Sequence, residues 1–293
     1  MDGAVDDTRT TRSRWLGPAF RPPGRRLVSL VPSLTLAVFE LGAGDRLVGR
    51  TRFCVEPRPA VERIPTVGGT KSVHPDDVLA LEPDVVLANR EENVRERVEV
   101  IARRVPVWLS DLRGPEDVPP VWRELGAICG MPADAERRAR ELETALPGAG
   151  APAAGEEGRG SPAGGAAGPG FVYWVWQDPW MAAGHDTYIS RLLVAAGWRN
   201  VLPPGVPRYP RLGPRDAAAL RPDAMLFPDE PYAFSLPVDL EAFGRSASAD
   251  GRIWRVAGGP AALAVSGRTF GWYPTHTLHG LERARRLRLA LGR

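Results

Sequence analysis

Asp77-Val-Leu-Ala-Leu-Glu-Pro-Asp-Val-Val-Leu-Ala88 and Asp216-Ala-Ala-Ala-Leu-Arg-Pro-Asp-Ala-Met-Leu-Phe227 are identical at six of twelve positions. Each reads as the end of a helix, a Pro-Asp turn, and a short apolar run suited to a buried strand. A Leu-x-Pro-Asp turn serves many α/β units, so the likeness is open to that explanation. The other explanation is a chain of two related α/β lobes, which a helical connection between them favours.

Working outward, strands and helices alternate on both sides. Leu27-Val-Ser-Leu-Val31 is a buried-strand pattern, followed by a helix from Leu34 to Leu41 that Gly42 and Gly44 close. Leu47-Val-Gly49, Asp84 to Ala88 and Val105 to Leu109 are further strands, with a helix opening at His74-Pro-Asp-Asp77. Residues 115–146 are helical, with Pro119, Pro120 and Pro132 marking two helices or one kink. Beyond them, Phe171 to Trp176, Ala224 to Phe227 and Ala262 to Val265 are strands, while Thr187 to Ala196 and Leu278 to Leu291 are helices. The expected fold is α/β: two related lobes with parallel-type sheets, joined by a long helical connection, with a ligand cleft between the lobes. The expected boundaries are a disordered basic tail at 1–25, an N-terminal lobe at 26–113, a connecting helix at 114–146, and a C-terminal lobe at 171–293. Residues 147–170 hold 9 Gly, 7 Ala and 4 Pro and no aromatic or large aliphatic side chain. They read as a flexible insertion, because they bury too little apolar area to offset their chain entropy.

At 293 residues the chain exceeds what one core usually organises. Its 43% hydrophobic and 25% charged residues are the balance of a folded protein. The net charge is +3. Residues 1–26 hold six Arg against three Asp, and residues 281–293 hold five Arg against Glu282, so residues 27–280 carry −4. Of 38 basic residues 37 are Arg, which reads as codon bias rather than phosphate recognition, and nucleic acid is not an expected partner. No stretch approaches the roughly 20 apolar residues of a membrane-spanning helix. The first residues lack the apolar run of a secretory signal, so the sequence as it stands reads as cytoplasmic, or extracytoplasmic if the true start lies elsewhere. Two cysteines, Cys54 and Cys129, suffice for neither a disulfide framework nor a cysteine-based metal site.

Several stretches resemble the vitamin B12 and iron-chelate binding proteins of ABC importers, also called helical-backbone metal receptors. They are Arg26 to Thr35, Leu41 to Gly49, Thr51-Arg-Phe-Cys54 with Pro57, Val67-Gly-Gly-Thr-Lys71, Leu79 to Asn89, Glu91-Glu-Asn93 and Val105-Pro-Val107. The second half adds Met181-Ala-Ala-Gly184, Thr187-Tyr-Ile-Ser190, Gly197 with Asn200-Val201, and Glu230-Pro-Tyr232. The resemblance implies two α/β lobes joined by a long helix and a ligand in the cleft. The implied function is non-catalytic binding of a metal chelate: a corrinoid (cobalamin) first, with haem or a ferric siderophore next. The implied partner is an ABC-type permease, met by an acidic residue on each lobe: Asp76 on the first and, since Arg215 stands at the matching place, Asp216 on the second. A monomer without intrinsic cofactor or metal is expected. The alternative on the same fold is an intracellular corrinoid- or haem-handling factor or enzyme.

The loops expected at the cleft carry Phe53, Trp180, Tyr209, Trp272 and Tyr273, and rigid rings cover a flat macrocycle at low entropic cost. Phe53 and Tyr209 fall where the B12-binding members place aromatic contacts, whereas Trp174 and Trp176, within a strand, are expected in the core. Arg52 is a candidate for pairing with carboxylates of a chelate, as are Arg208, Arg211 and Arg268. His185 is the candidate to approach a ligand metal. The expected ligand-binding residues are thus Arg52, Phe53, Trp180, His185, Tyr209 and Trp272. His276 and His279, three apart, do not make a closed metal site. Gly42-Ala-Gly44 precedes a strand and lacks the third glycine of a dinucleotide fingerprint, and Gly68-Gly-Thr-Lys-Ser72 lacks a P-loop Gly-Lys pair. Glu91 and Glu92 are adjacent and point apart on a helix, so catalysis is not expected.

Overall fold

A computed structural model describes residues 13–147, 168–236, 254–255 and 259–291. These residues form two compact units. Those of the first fall within Met1–Leu112, Glu116–Glu143 and Tyr273–Thr275, and those of the second within Arg113–Pro115, Thr144–Trp272 and His276–Arg293.

The first unit holds strands β1 (Ser13–Leu16), β2 (Leu27–Ser29), β3 (Leu47–Arg50), β4 (Val85–Asn89) and β5 (Val107–Ser110), in the order β1-β5-β4-β2-β3. β3, β2, β4 and β5 are parallel. Every residue of β2, β4 and β5 is buried, which requires cover on both faces of the sheet. Helices α2 (Pro75–Ala80) and α3 (Arg95–Ala102) supply Val78, Val98 and Ile101 to one face, against Val28, Val86 and Val107. On the other, Trp108 Nε1 donates to Glu124 of α4 (Val118–Cys129) at 2.7 Å. Helix α1 (Pro32–Glu40) starts on its proline and closes on Gly42, which takes a φ of +80° so that Ala43 N–H reaches Val38 O.

The second unit holds β6 (Gly170–Trp176), β7 (Met181–Ala182), β8 (Arg199–Asn200), β9 (Ala224–Pro228), β10 (Trp254–Arg255) and β11 (Ala261–Val265). Its order is β10-β11-β9-β6, with β8 parallel to the start of β6 and β7 antiparallel to its end. Helices α6 (Tyr188–Ala195), α7 (Pro214–Ala219), α8 (Gly267–Gly271) and α9 (Thr277–Leu291) complete it. Its parallel strands run β8-β6-β9-β11, the same winding as β3-β2-β4-β5 in the first unit, and each sheet carries an antiparallel strand beyond the last of these.

The repeated Pro-Asp turn does the same work twice. Asp84 Oδ2 accepts the backbone N–H groups of Arg25 (2.7 Å) and Arg26 (2.9 Å) at the entrance of β2, while Asp84 N–H donates to Arg26 O. Asp223 Oδ2 accepts Gly170 N–H at 2.5 Å at the entrance of β6, and Asp223 N–H donates to Gly170 O. The residue before each Pro-Asp pair, Glu82 or Arg221, takes the same positive φ, 45° or 51°.

Three expected segments take these forms in the structure. The tail expected at 1–25 is ordered from Ser13: β1 pairs antiparallel with β5, Trp15 stacks on Phe20, and Gly24 N–H donates to Ile128 O. Its arginines masked an edge strand that covers the open side of β5; residues 1–12 lie outside the described residues. The stretch expected to be two helices or one kinked helix is two, because Gly130 turns left-handed (φ +65°) after α4 and α5 (Pro132–Ala145) restarts on its proline. Of the expected insertion, residues 148–167 lie outside the described residues and Gly170 already belongs to β6.

Asp84→Ala is expected to lower the unfolding free energy of its unit by about 1–2 kcal/mol, and Asp223→Ala by somewhat less because it frees one N–H rather than two. Chemical denaturation followed by circular dichroism reads both, with native secondary structure retained.

Candidate ligand-binding site

In the first unit the chain leaving β3 makes a tight turn on Thr51 and Cys54, both fully buried, with Cys54 N–H donating to Thr51 O at 3.0 Å. Thr51 Oγ1 lies 3.2 Å from Cys54 Sγ, and burial raises the thiol above its ordinary pKa, so Cys54 is a packing residue and not a thiolate. The turn projects Phe53, 49% exposed, with the Arg52 guanidinium 5.0 Å over its ring. Beside the ring lies Gly69, where a methyl group would stand 3.0 Å from Phe53 Cε2 and 2.9 Å from Ser72 Oγ. Gly68 makes that approach possible with a φ of +102°, and its carbonyl accepts Arg52 N–H at 2.9 Å.

Two buried asparagines brace this turn from the sheet. Asn93 Nδ2 donates to Thr70 O (3.1 Å) and Leu30 O (3.2 Å), while its Oδ1 accepts Asn89 N–H at 2.9 Å. Asn89 Nδ2 in turn donates to Ser110 Oγ at 3.0 Å. The carboxyl ends of β2, β4 and β5 are therefore tied to the Phe53 loop by side-chain amides. The legible signal was Asn89 closing an apolar strand with Asn93 four residues on, a spacing that sequence reasoning left without a role.

In the second unit, β7 and residues 207–212 are stitched together: Ala182 N–H donates to Pro210 O (3.1 Å), Gly184 N–H to Arg208 O (2.8 Å) and Leu212 N–H to Trp180 O (3.0 Å). This brings Trp180, His185 and Tyr209 into one neighbourhood. Tyr209 is 37% exposed. Trp180 is half-buried, 4.8 Å from Trp174 and 5.7 Å from Phe234 between ring centroids. His185 is exposed, and its Nε2–H donates to Leu202 O at 2.8 Å, which fixes the tautomer and leaves Nδ1 as the other ring nitrogen.

Trp272 belongs to a separate cluster after α8. Its Nε1 donates to Glu230 Oε1 at 2.7 Å, Arg268 lies 4.7 Å over its ring, and His276 stacks on it at 5.9 Å. Glu230 also pairs with Arg268 at 3.2 Å. Tyr273 groups with the first unit. Trp174 is fully buried as expected, but Trp176 is not: it is 42% exposed and stands edge-on to Tyr232 at 5.5 Å. The reason is its place at the last residue of β6, past the point where β9 pairs, with the β7 register shifting between Trp174 and Trp176.

Asp76 sits exposed in the first turn of α2 and Asp216 exposed in that of α7. Val78 and Ala217 are the buried residues of the two helices, so Asp76 matches Arg215 and Asp77 matches Asp216. Among the described residues no group of three His, Cys, Asp or Glu side chains is placed to hold a metal ion. No helix among them is long and apolar enough to cross a membrane.

Two wound α/β units that present aromatic rings on loops outside their sheets have the architecture of a ligand-binding protein. Residues 27–233 match the periplasmic binding protein family, and the chain belongs to that family. It is 28% identical to the vitamin B12-binding protein of Pectobacterium carotovorum over 120 residues, 41% of this chain and 43% of that protein. The chain thus spans less than half the length of the curated relatives it matches. The fold is similar to the periplasmic vitamin B12 binding protein of Vibrio cholerae (TM-score 0.70, 14% identity, covering 92% of this chain and 99% of that one). It is also similar to a periplasmic heme binding protein of Pseudomonas aeruginosa (TM-score 0.68, 21% identity, covering 90% and 92%).

Burial holds the His276 imidazole below its ordinary pKa of 6.5, opposed by the carbonyl of Arg268 that accepts its Nδ1–H. Arg268 and His279 disfavour its charge, whereas Glu230 favours it. The unfolded chain then binds the proton more readily, so stability falls as pH drops below about 6.5. His276→Gln is expected to flatten the decline in melting temperature between about pH 7 and 5.

Proposed function

We propose that this chain is the substrate-binding component of an ABC-type importer, and that it carries a metal chelate, a corrinoid of the cobalamin type, without performing chemistry on it. The observation that carries the reading is the Phe53 platform. The ring packs against Gly69 and Arg52, and about half the residue is left exposed on a loop braced from the sheet. A ring ordered before the ligand arrives loses no side-chain entropy on binding, and its apolar face suits a macrocycle. Tyr209, held between two backbone hydrogen bonds, offers a second ring of the same kind. The vitamin B12-binding relatives favour a corrinoid over haem or a ferric siderophore.

Arg52, Trp180, His185 and Trp272 are the further proposed contacts, with His185 Nδ1 turned to account if the ligand metal has an open position. Asp76 and Asp216 are the proposed docking points for basic residues of a permease, and the family supports work outside the cytoplasm.

Tryptophan fluorescence titration with cyanocobalamin, haemin and a ferric siderophore tests the reading. Saturable quenching by cyanocobalamin at micromolar levels or tighter is expected, weakened about tenfold or more in Phe53→Ala. Gly69→Ala is expected to weaken it in the same direction by tilting the ring. Saturation by haemin or the siderophore alone would replace the corrinoid, and no saturation by any of the three would overturn the reading.

A further inference from the structure

The strand order of the second unit reverses between β6 and β9. The chain runs from β6 to β8 on one side of β6, then to β9 on the other. In wound parallel sheets this reversal opens a crevice outside the carboxyl ends of the two strands, where ligands settle. Trp176 is the residue that leaves β6 at that end, and Tyr232 lies in the segment that leaves β9.

Their rings meet edge to face at 5.5 Å, and they are backed by further aromatics. Tyr232 lies 4.7 Å from Phe234, which lies 5.6 Å from Phe227 and 5.7 Å from Trp180, itself 4.8 Å from the fully buried Trp174. The exposed Trp176 and the half-buried Tyr232 are thus the outer end of a continuous ring cluster rooted in the core, and little freedom remains to be lost when something covers them. The neighbouring carboxylates are already engaged. Asp229 Oδ1 accepts Gly267 N–H at 2.7 Å, and Glu230 is shared between Arg268 and Trp272. An apolar face laid on the pair therefore strands neither of these two carboxylates unpaired away from water.

We propose that Trp176 and Tyr232 form a rigid platform that receives an apolar face of the chelate's macrocycle. This rests on the receptor reading above, which the sequence had supported with other residues while assigning Trp176 to the core.

The test measures dissociation constants for cyanocobalamin and haemin by isothermal titration calorimetry in wild type, Trp176→Ala, Tyr232→Ala and the double variant. Trp15→Ala, which removes an exposed tryptophan of the first unit, is the control. Each platform variant is expected to weaken the chelate that wild type binds by about tenfold or more. Trp15→Ala is expected to change nothing. The double variant should lose less than the product of the two, because both rings serve one surface. Trp176→Phe, which keeps an aromatic ring, should recover most of the loss and guards against a variant that fails to fold. Wild-type binding with both single variants within twofold of it would overturn the platform and leave the receptor standing. A wild type that binds neither chelate would overturn both. A wild-type dimer that Trp176→Ala converts to monomer in sedimentation would give this surface to a second copy and overturn the proposal.

Discussion

A carboxylate at the mouth of the first parallel strand sets the frame of each unit. Asp84 captures the N–H groups of Arg25 and Arg26 just before β2, and Asp223 that of Gly170, the first residue of β6, while their own N–H groups donate to Arg26 O and Gly170 O. That holds β2 in register with β4 and β6 with β9, the two pairs between which the strand order reverses. Within each unit the parallel strands point their carboxyl ends the same way. Because β2, β4, β5 and β9 are buried throughout, the loops at those ends are where the sheet can offer side chains to a ligand.

What the loops offer is mostly aromatic, and the rings differ in how they are held. Phe53 is seated by backbone, on a glycine that leaves room for it and a turn that asparagine amides brace. Trp176 and Tyr232 are held by other rings reaching back to Trp174. Trp272 is held by charge, through Glu230 and Arg268. All three devices order the ring in advance. The third also neutralises Arg268, which would otherwise be a candidate partner for a ligand carboxylate.

The polar interior follows the same economy. Cys54, His276 and Tyr173 are all pushed by burial toward their uncharged forms. Such groups serve packing and position better than acid–base chemistry. The family, one of binding proteins, agrees with that character.

Much of the fold was legible in the sequence, because apolar runs, Pro-opened helices and the twice-used Pro-Asp turn are local patterns. The family's motifs were legible for the same reason. The β1 edge strand was not, since four residues among scattered arginines become a strand only when β5 offers them an unpaired edge. The break at Gly130 was readable as either a kink or two helices, and packing chose. Trp174 and Trp176 have the same residue type and lie in the same strand, two positions apart. The sequence by itself determined that both rings exist there. Only the tertiary structure decided that one lies in the core and the other at the surface, because burial depends on where neighbouring strands stop, and no local pattern records that.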